Sequence, residues 1–200
     1  MPKIVDKAEM RTTIINAALA AFVSKGFQHT SMSDIAKEAH IAKGTLYLYF
    51  HSKEELVEVM IENHFLSLKE KLSTPASLDT LEKFLVQLEI ALLPTQEEEA
   101  LVPIMFEAIG SLFVSEDFSL KYKNFSNELE EWYANILKEL QQKDEILPTI
   151  NPYIFSRILL GMTDGIIMHK CFLEIETENY KQMCIETVRL VKKGLEKRDD

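Results

Sequence analysis

Between Thr12 and Phe50 the apolar residues fall into three short helical stripes separated by two breaks, a pattern that points to three small helices packed on one another. Ile14, Ile15, Ala18, Leu19 and Phe22 repeat at helical spacing, and Gly26 just beyond them supplies a C-terminal stop. Ser31 with Asp34 resembles a capping pair, after which Met32, Ile35, Ala36 and Ala39 form an inward face. His40, Ile41 and Ala42 interrupt the pattern. A third helix, from Lys43 to about Phe50, then brings Leu46 and Phe50 back to the inward side. The product is a helix, a tight turn and a second helix, braced by the first.

The rest of the chain extends the same helical logic. Ser52 can cap a long helix from Lys53 to about Leu72, and the small, polar, Pro-containing stretch 73–77 reads as a loop. Further helices are expected at about 78–93, 96–101, 103–114, 116–144, 152–173 and 176–197, each with a start or stop signal. Thr95 with Glu98 has capping-box spacing, and Asn151 before Pro152 places a cap before a first-turn proline. Six glycines and six prolines in 200 residues are few, and the dominant Leu, Ile, Glu, Lys and Ala favour helix over strand, so the fold class is all-α. An apolar content of 46% is enough to bury a real core, which argues against disorder.

No run approaches the roughly eighteen consecutive apolar residues of a membrane span, and the first residues are too charged for a signal peptide. A cytoplasmic protein with no membrane partner is expected. Two cysteines, Cys171 and Cys184, are too few for a disulfide framework and read as packing residues. The net charge of −10 would argue against a nucleic-acid partner, but its distribution reverses the inference. Residues 1–53 carry a net +3, leaving −13 on the remainder, so a small basic head is followed by an acidic body. The expected division is a head at 1–53 and a body at 54–200.

The run from Thr30 to Leu56, TSMSDIAKEAHIAKGTLYLYFHSKEEL, closely resembles the DNA-binding segment of the TetR family of transcriptional regulators. The combination carries the likeness: a paired hydroxyl start, Ile-Ala at the helix crossing, Gly-Thr-Leu-Tyr, an aromatic pair, then Ser-Lys-Glu and Leu. The likeness is sharp over about residues 10–60, and beyond it extends only to length and helicity. One position departs from the family pattern, since His40 stands where a glycine is usual in the turn, a place that often needs a left-handed backbone.

The resemblance implies an N-terminal three-helix head with a helix-turn-helix, followed by a larger helical bundle for ligand binding and dimerisation. In the head, Lys43 can donate to guanine O6 and N7, Thr45 can offer its methyl to thymine or its hydroxyl to phosphate, and Gly44 permits close approach. By resemblance Tyr47 and Lys53 are phosphate clamps, Tyr49 faces the groove or backbone, and Ser31 and Ser33 touch the flanking strand. Lys3 and Lys7 are expected to add backbone contacts.

One head presents few base contacts, so useful specificity requires two heads on a palindromic operator, and hence a homodimer. The expected interface lies in the last two helices, where one face carries Ile154, Ile158, Gly161, Gly165, Met168 and Phe172, and a separate face carries Phe155, Leu159, Met162 and Ile166. Met183, Thr187, Leu190 and Val191 are the expected partners from the final helix. A cavity for a small apolar or amphipathic effector is expected among the middle helices. Its candidate lining is Met60, His64, Met105, Phe106 and Ile109, with Phe125, Trp132 and Met162 from later in the chain.

No Gly-rich phosphate loop, nucleophile elbow or His-Glu-x-x-His motif is present, so no catalytic residue, cofactor or metal is expected. His169 and Cys171 are two apart on a helix and point in different directions, which spoils them as a metal pair. A helical adaptor that binds only protein would account for the acidic body, but it leaves the basic head and its exposed tyrosines without a purpose.

Overall fold

The structure is a computed structural model that describes residues 7–72, 78–173 and 175–197. The expected loop at 73–77 and Lys3 lie outside the described residues. Among those residues every regular element is helical: α1 (Lys7–Lys25), α2 (Met32–Glu38), α3 (Lys43–Tyr47), α4 (Lys53–Leu72), α5 (Leu81–Ala91), α6 (Gln96–Leu112), α7 (Glu116–Gln142), α8 (Pro152–Phe172) and α9 (Thr177–Leu195). None is long and apolar enough to cross a membrane. The chain divides into two compact units, one comprising Met1–Ser73 with Ala100–Leu120, the other Thr74–Glu99 with Lys121–Asp200.

In the first unit, α1 to α4 close over Ile14, Phe22, Phe27, Ile35, Leu46, Phe50, Leu56 and Ile61, all fully buried or nearly so. The local signals explain where the helices stop and start. Gly26 adopts φ +79° and its N–H donates to the Phe22 carbonyl at 2.7 Å, ending α1 with the conformation glycine supplies at least cost. Thr30, buried in the turn, donates to the carbonyls of Gly26 (2.7 Å) and Ala21 (3.2 Å) and so ties the end of α1 to the start of α2. Ser31 and Asp34 form a reciprocal capping box, in which the Ser31 hydroxyl accepts from the Asp34 N–H (3.2 Å) and the Asp34 carboxylate accepts from the Ser31 N–H (3.0 Å). Bonds from Lys25 and Ser31 hold the Asp34 carboxyl well below the usual carboxylate range. His40 sits at φ 54°, so the turn does take the left-handed conformation that its glycine-like position demands.

One expected break is absent. Helix α6 runs from Gln96 to Leu112 straight through Pro103. A proline in a helix interior removes a single N–H, here the one that would reach the Glu99 carbonyl, and crowds that carbonyl. The cap at Thr95, whose hydroxyl accepts from the Glu98 N–H (3.2 Å) while its own N–H donates to the Glu98 carboxylate (2.6 Å), starts the helix a full two turns earlier.

The second unit is built on Phe84, Leu85, Leu88 and Leu92 of α5 and its end, Tyr133, Leu137 and Leu140 of α7, Leu159 of α8, and Tyr180, Cys184, Val191 and Leu195 of α9. Phe155, Met162 and Ile166 pack against this core, so the α8 face assigned to packing is the inward one. The opposite face, with Ile154, Ile158 and Phe172, remains exposed. Asn151 caps α8 by accepting from the N–H groups of Tyr153 (3.1 Å) and Ile154 (3.3 Å). Tyr180 donates its hydroxyl to the Leu92 carbonyl at 2.6 Å, fixing α9 against the end of α5. Burial pushes both cysteine thiols above their ordinary range, which disfavours the reactive thiolate and agrees with packing roles.

Candidate nucleic-acid interface

The interface is assembled around α3. Its inward residues, Leu46 and Phe50, are completely buried, and everything opposite them is presented to solvent. The turn after α3 is held by the Leu48 N–H to Thr45 (3.1 Å), Tyr49 N–H to Leu46 (2.9 Å) and Phe50 N–H to Leu46 (3.0 Å) carbonyls, so helical direction continues to Phe50 although the regular helix ends at Tyr47. Arg11 braces it from α1: its guanidinium lies 4.3 Å from the centre of the Phe50 ring and donates to the Tyr49 carbonyl at 3.1 Å. In the sequence Arg11 counted only as one of the head's positive charges. Its positioning role depends on which ring and carbonyl the fold brings to it.

Lys43 and Tyr47 are both exposed on one side of this face, with the Lys43 ammonium 5.8 Å from the centre of the Tyr47 ring. Gly44 is open, with nothing within 4 Å of where a Cβ would lie, and Thr45 and Tyr49 are half-buried at its margins. Ser33 is exposed on the first turn of α2, whereas the Ser31 hydroxyl is already engaged in the capping box. An exposed ammonium, an exposed phenol and an unobstructed glycine thus share one short helical face.

Lys53 does not join them. Its ammonium donates to the carbonyls of Phe27 (2.7 Å) and Gln28 (3.2 Å) and lies 4.3 Å from the centre of the Phe27 ring. The side chain expected from the resemblance to clamp phosphate is here turned into the α1–α2 turn, where two carbonyls and an aromatic face offer its charge partners. The same turn is held from α6, where Glu107 accepts the Gln28 N–H at 3.2 Å and the Gln28 side chain donates to the Glu107 carbonyl at 3.1 Å. Lys53→Met, which keeps the packing over Phe27 but not the two bonds, is expected to cost about 1–2 kcal/mol in urea denaturation. It should leave the salt dependence of DNA binding unchanged, and a fall of roughly one in the log–log salt slope would return Lys53 to phosphate contact.

The other expected site residues are distributed over both units. Met60 is buried in the first unit, where His64 and Met105 are half-buried and Phe106 and Ile109 exposed. In the second, Phe125 is buried, and Trp132 and Met162 pack against the core. Of the residues expected at a dimer face, Ile158, Gly161, Phe172 and Leu190 are exposed, and Gly165, Met168 and Met183 half-buried. Thr187 and Val191 are corrections: both are buried in the protomer, on the α9 stripe formed with Tyr180, Cys184 and Leu195. Those five positions recur every three or four residues, so whichever face packs on α5 must take them all.

Polar groups that sequence reasoning missed lie midway along α8. The Thr163 hydroxyl is buried without a hydrogen-bond partner. Desolvation raises the neighbouring Asp164 carboxyl above its ordinary range, and its charge contributes to raising the Tyr122 and Tyr133 phenols of α7 after burial itself. Among the described residues no group of His, Cys, Asp and Glu is placed to hold a metal ion.

Comparison with known proteins agrees with this geometry. The family described as bacterial regulatory proteins, tetR family, matches residues 14–60, the span from α1 into α4. The chain is similar to the HTH-type transcriptional regulator UidR of Escherichia coli, at 31% identity over 161 residues that cover 78% of this chain and 79% of UidR. It is also similar to the fatty acid metabolism regulator protein of Bacillus subtilis, at 26% identity, covering 76% and 78% of the two chains. In fold it resembles Salmonella enterica GusR (TM-score 0.70, 20% identity, covering 96% and 99%). A TetR transcription regulator from Haloarcula marismortui superposes with TM-score 0.77 at 16% identity, covering 94% and 100%. With a helix-turn-helix built on the expected residues and a relative this similar over most of its length, the chain belongs to the TetR family of DNA-binding transcriptional regulators.

Proposed function

We propose that the protein is a repressor that binds a palindromic operator as a homodimer and is released from it by a small molecule. The observation that carries this reading is the face of α3: Lys43, Gly44 and Tyr47 stand open to solvent while Leu46, Phe50 and Arg11 hold the helix rigidly behind them. A rigid helix bearing donors to bases and phosphates fits a major groove, and the basic charge of residues 1–53 adds the attraction. The second copy is assigned to the exposed face of α8 around Ile154, Ile158 and Gly161, with Leu190 of α9. Two heads spaced by such a dimer double the contacts and give the operator its symmetry.

The effector reading is supported by the middle of α8, where the Thr163 hydroxyl is buried with no hydrogen-bond partner among apolar neighbours in sequence, next to the exposed Asp164. A buried polar group without a partner is costly to maintain, and a ligand with a complementary polar group would satisfy it. An amphipathic molecule suits that mixture. It releases the protein from DNA only by binding the DNA-incompetent arrangement more tightly.

The test is fluorescence anisotropy on the palindrome in the DNA flanking the protein's own gene, at two salt concentrations, with wild type and the Lys43→Ala, Tyr47→Ala double variant. Wild type is expected to bind tightly with steep salt dependence, and the variant roughly a hundredfold more weakly, the effect of losing a base contact and a phosphate contact in each half-site. Equally weak binding by both proteins would remove the operator reading and leave the protein-binding adaptor in its place.

A further inference from the structure

The centre of the DNA-facing surface is apolar, and no polar contact accounts for it. Leu46 and Phe50 mark the inward direction of α3 and its last turn, and at 100° per residue the positions opposite them are Gly44 and Leu48, one turn apart. Leu48 holds helical backbone angles (φ −75°, ψ −17°), so its side chain keeps that direction. It leaves 81% of its surface exposed, against 40% for Tyr47 beside it. Gly44 has no side chain to shield it, and nothing else comes within 4 Å of the space where a Cβ would stand. The most outward side chain of the recognition segment is thus an isobutyl group with clear access on its N-terminal side.

Such a group makes no hydrogen bond to a base edge or a phosphate. In the major groove the apolar feature that distinguishes one base from another is the C5-methyl of thymine. Polar flanks (Lys43 and Tyr47 on one side, Thr45 on the other) would set the helix on the duplex, and Leu48 would then meet whatever lies at the middle of the half-site. From this geometry we infer that Leu48 reads a thymine methyl group in each operator half-site, and that the central base it faces is a specificity position of the operator. The inference rests on the operator reading above and names one base that the operator must contain.

Selection from a random pool of duplex DNA, with wild type and Leu48→Ala in parallel, tests it without knowledge of the natural operator. Leu48 packs against little, so the alanine variant folds as wild type does. Wild type is expected to enrich a palindrome with one strongly preferred thymine in each half-site that the variant no longer prefers, the other positions being unchanged. In anisotropy, replacing those thymines by deoxyuridine removes only the methyl. It should weaken wild type about fivefold per half-site, roughly twenty-five-fold for both, the worth of burying one methyl group against an isobutyl. The same replacement should leave Leu48→Ala unaffected. A wild-type consensus in which no thymine preference depends on Leu48, or a deoxyuridine effect equal in the two proteins, overturns the inference while sparing the operator reading. Failure of wild type to enrich any sequence defeats both.

Discussion

Phe50→Ala is expected to cost about 3–5 kcal/mol of stability in the head and to weaken operator binding by more than a hundredfold. Phe50 is completely buried, it is the far anchor of the recognition segment, and its ring carries the Arg11 guanidinium at 4.3 Å. Truncation removes the anchor, leaves a cavity where α1 and α3 meet, and takes away the aromatic face that steadies Arg11. That arginine in turn holds the Tyr49 carbonyl, so the damage reaches the backbone that presents Tyr47 and Leu48. Thermal denaturation and anisotropy on the selected duplex measure the two effects. Phe50→Leu, which keeps most of the volume, should cost under about 1.5 kcal/mol and retain binding. Binding by Phe50→Ala within tenfold of wild type would show that the segment does not depend on this anchor.

The second large effect is alkaline. Burial, helped by the charge of Asp164, pushes the Tyr133 phenol up to about 12 from the ordinary 10.0, and Tyr180 is raised still further, burial again being the main cause. A phenol that holds its proton more tightly when folded contributes stability that is complete below pH 10 and is lost as pH climbs toward its folded value. For Tyr133 alone the two-unit difference corresponds to about 3 kcal/mol. The second unit is therefore expected to lose stability steeply between pH 10 and 12, followed by circular dichroism against urea at each pH. Tyr133→Phe should flatten that decline by removing one of the contributing protons. A stability profile level to pH 12 would mean that neither phenol is shielded from water.

What could be read from the sequence was whatever depends on near neighbours along the chain. The Gly26 stop, the Ser31–Asp34 box, the Thr95 and Asn151 caps and the left-handed His40 are all settled within four or five residues, and each lies where its spacing placed it. Periodicity likewise separated the two faces of α8. The bonds of Lys53 were not legible because a motif position says nothing of the carbonyls that the fold brings within reach, here those of a turn 25 and 26 residues away. Thr187 and Val191 failed for a related reason: a helix with apolar residues on more than one face does not disclose which face its own protomer will take. The effector candidates were drawn from segments far apart in the chain, and no local signal joins them.

The proline in α6 has an effect beyond its failure to end the helix. The division between the two compact units crosses α6 between Glu99 and Ala100, and the carbonyl deprived of its N–H by Pro103 is that of Glu99. Elsewhere in a helix, a change of direction must stretch a hydrogen bond that already exists. At this point the bond is missing from the start, so bending there carries little enthalpic penalty. The turn of α6 that ends at Pro103 therefore resists bending less than an unbroken turn of helix would.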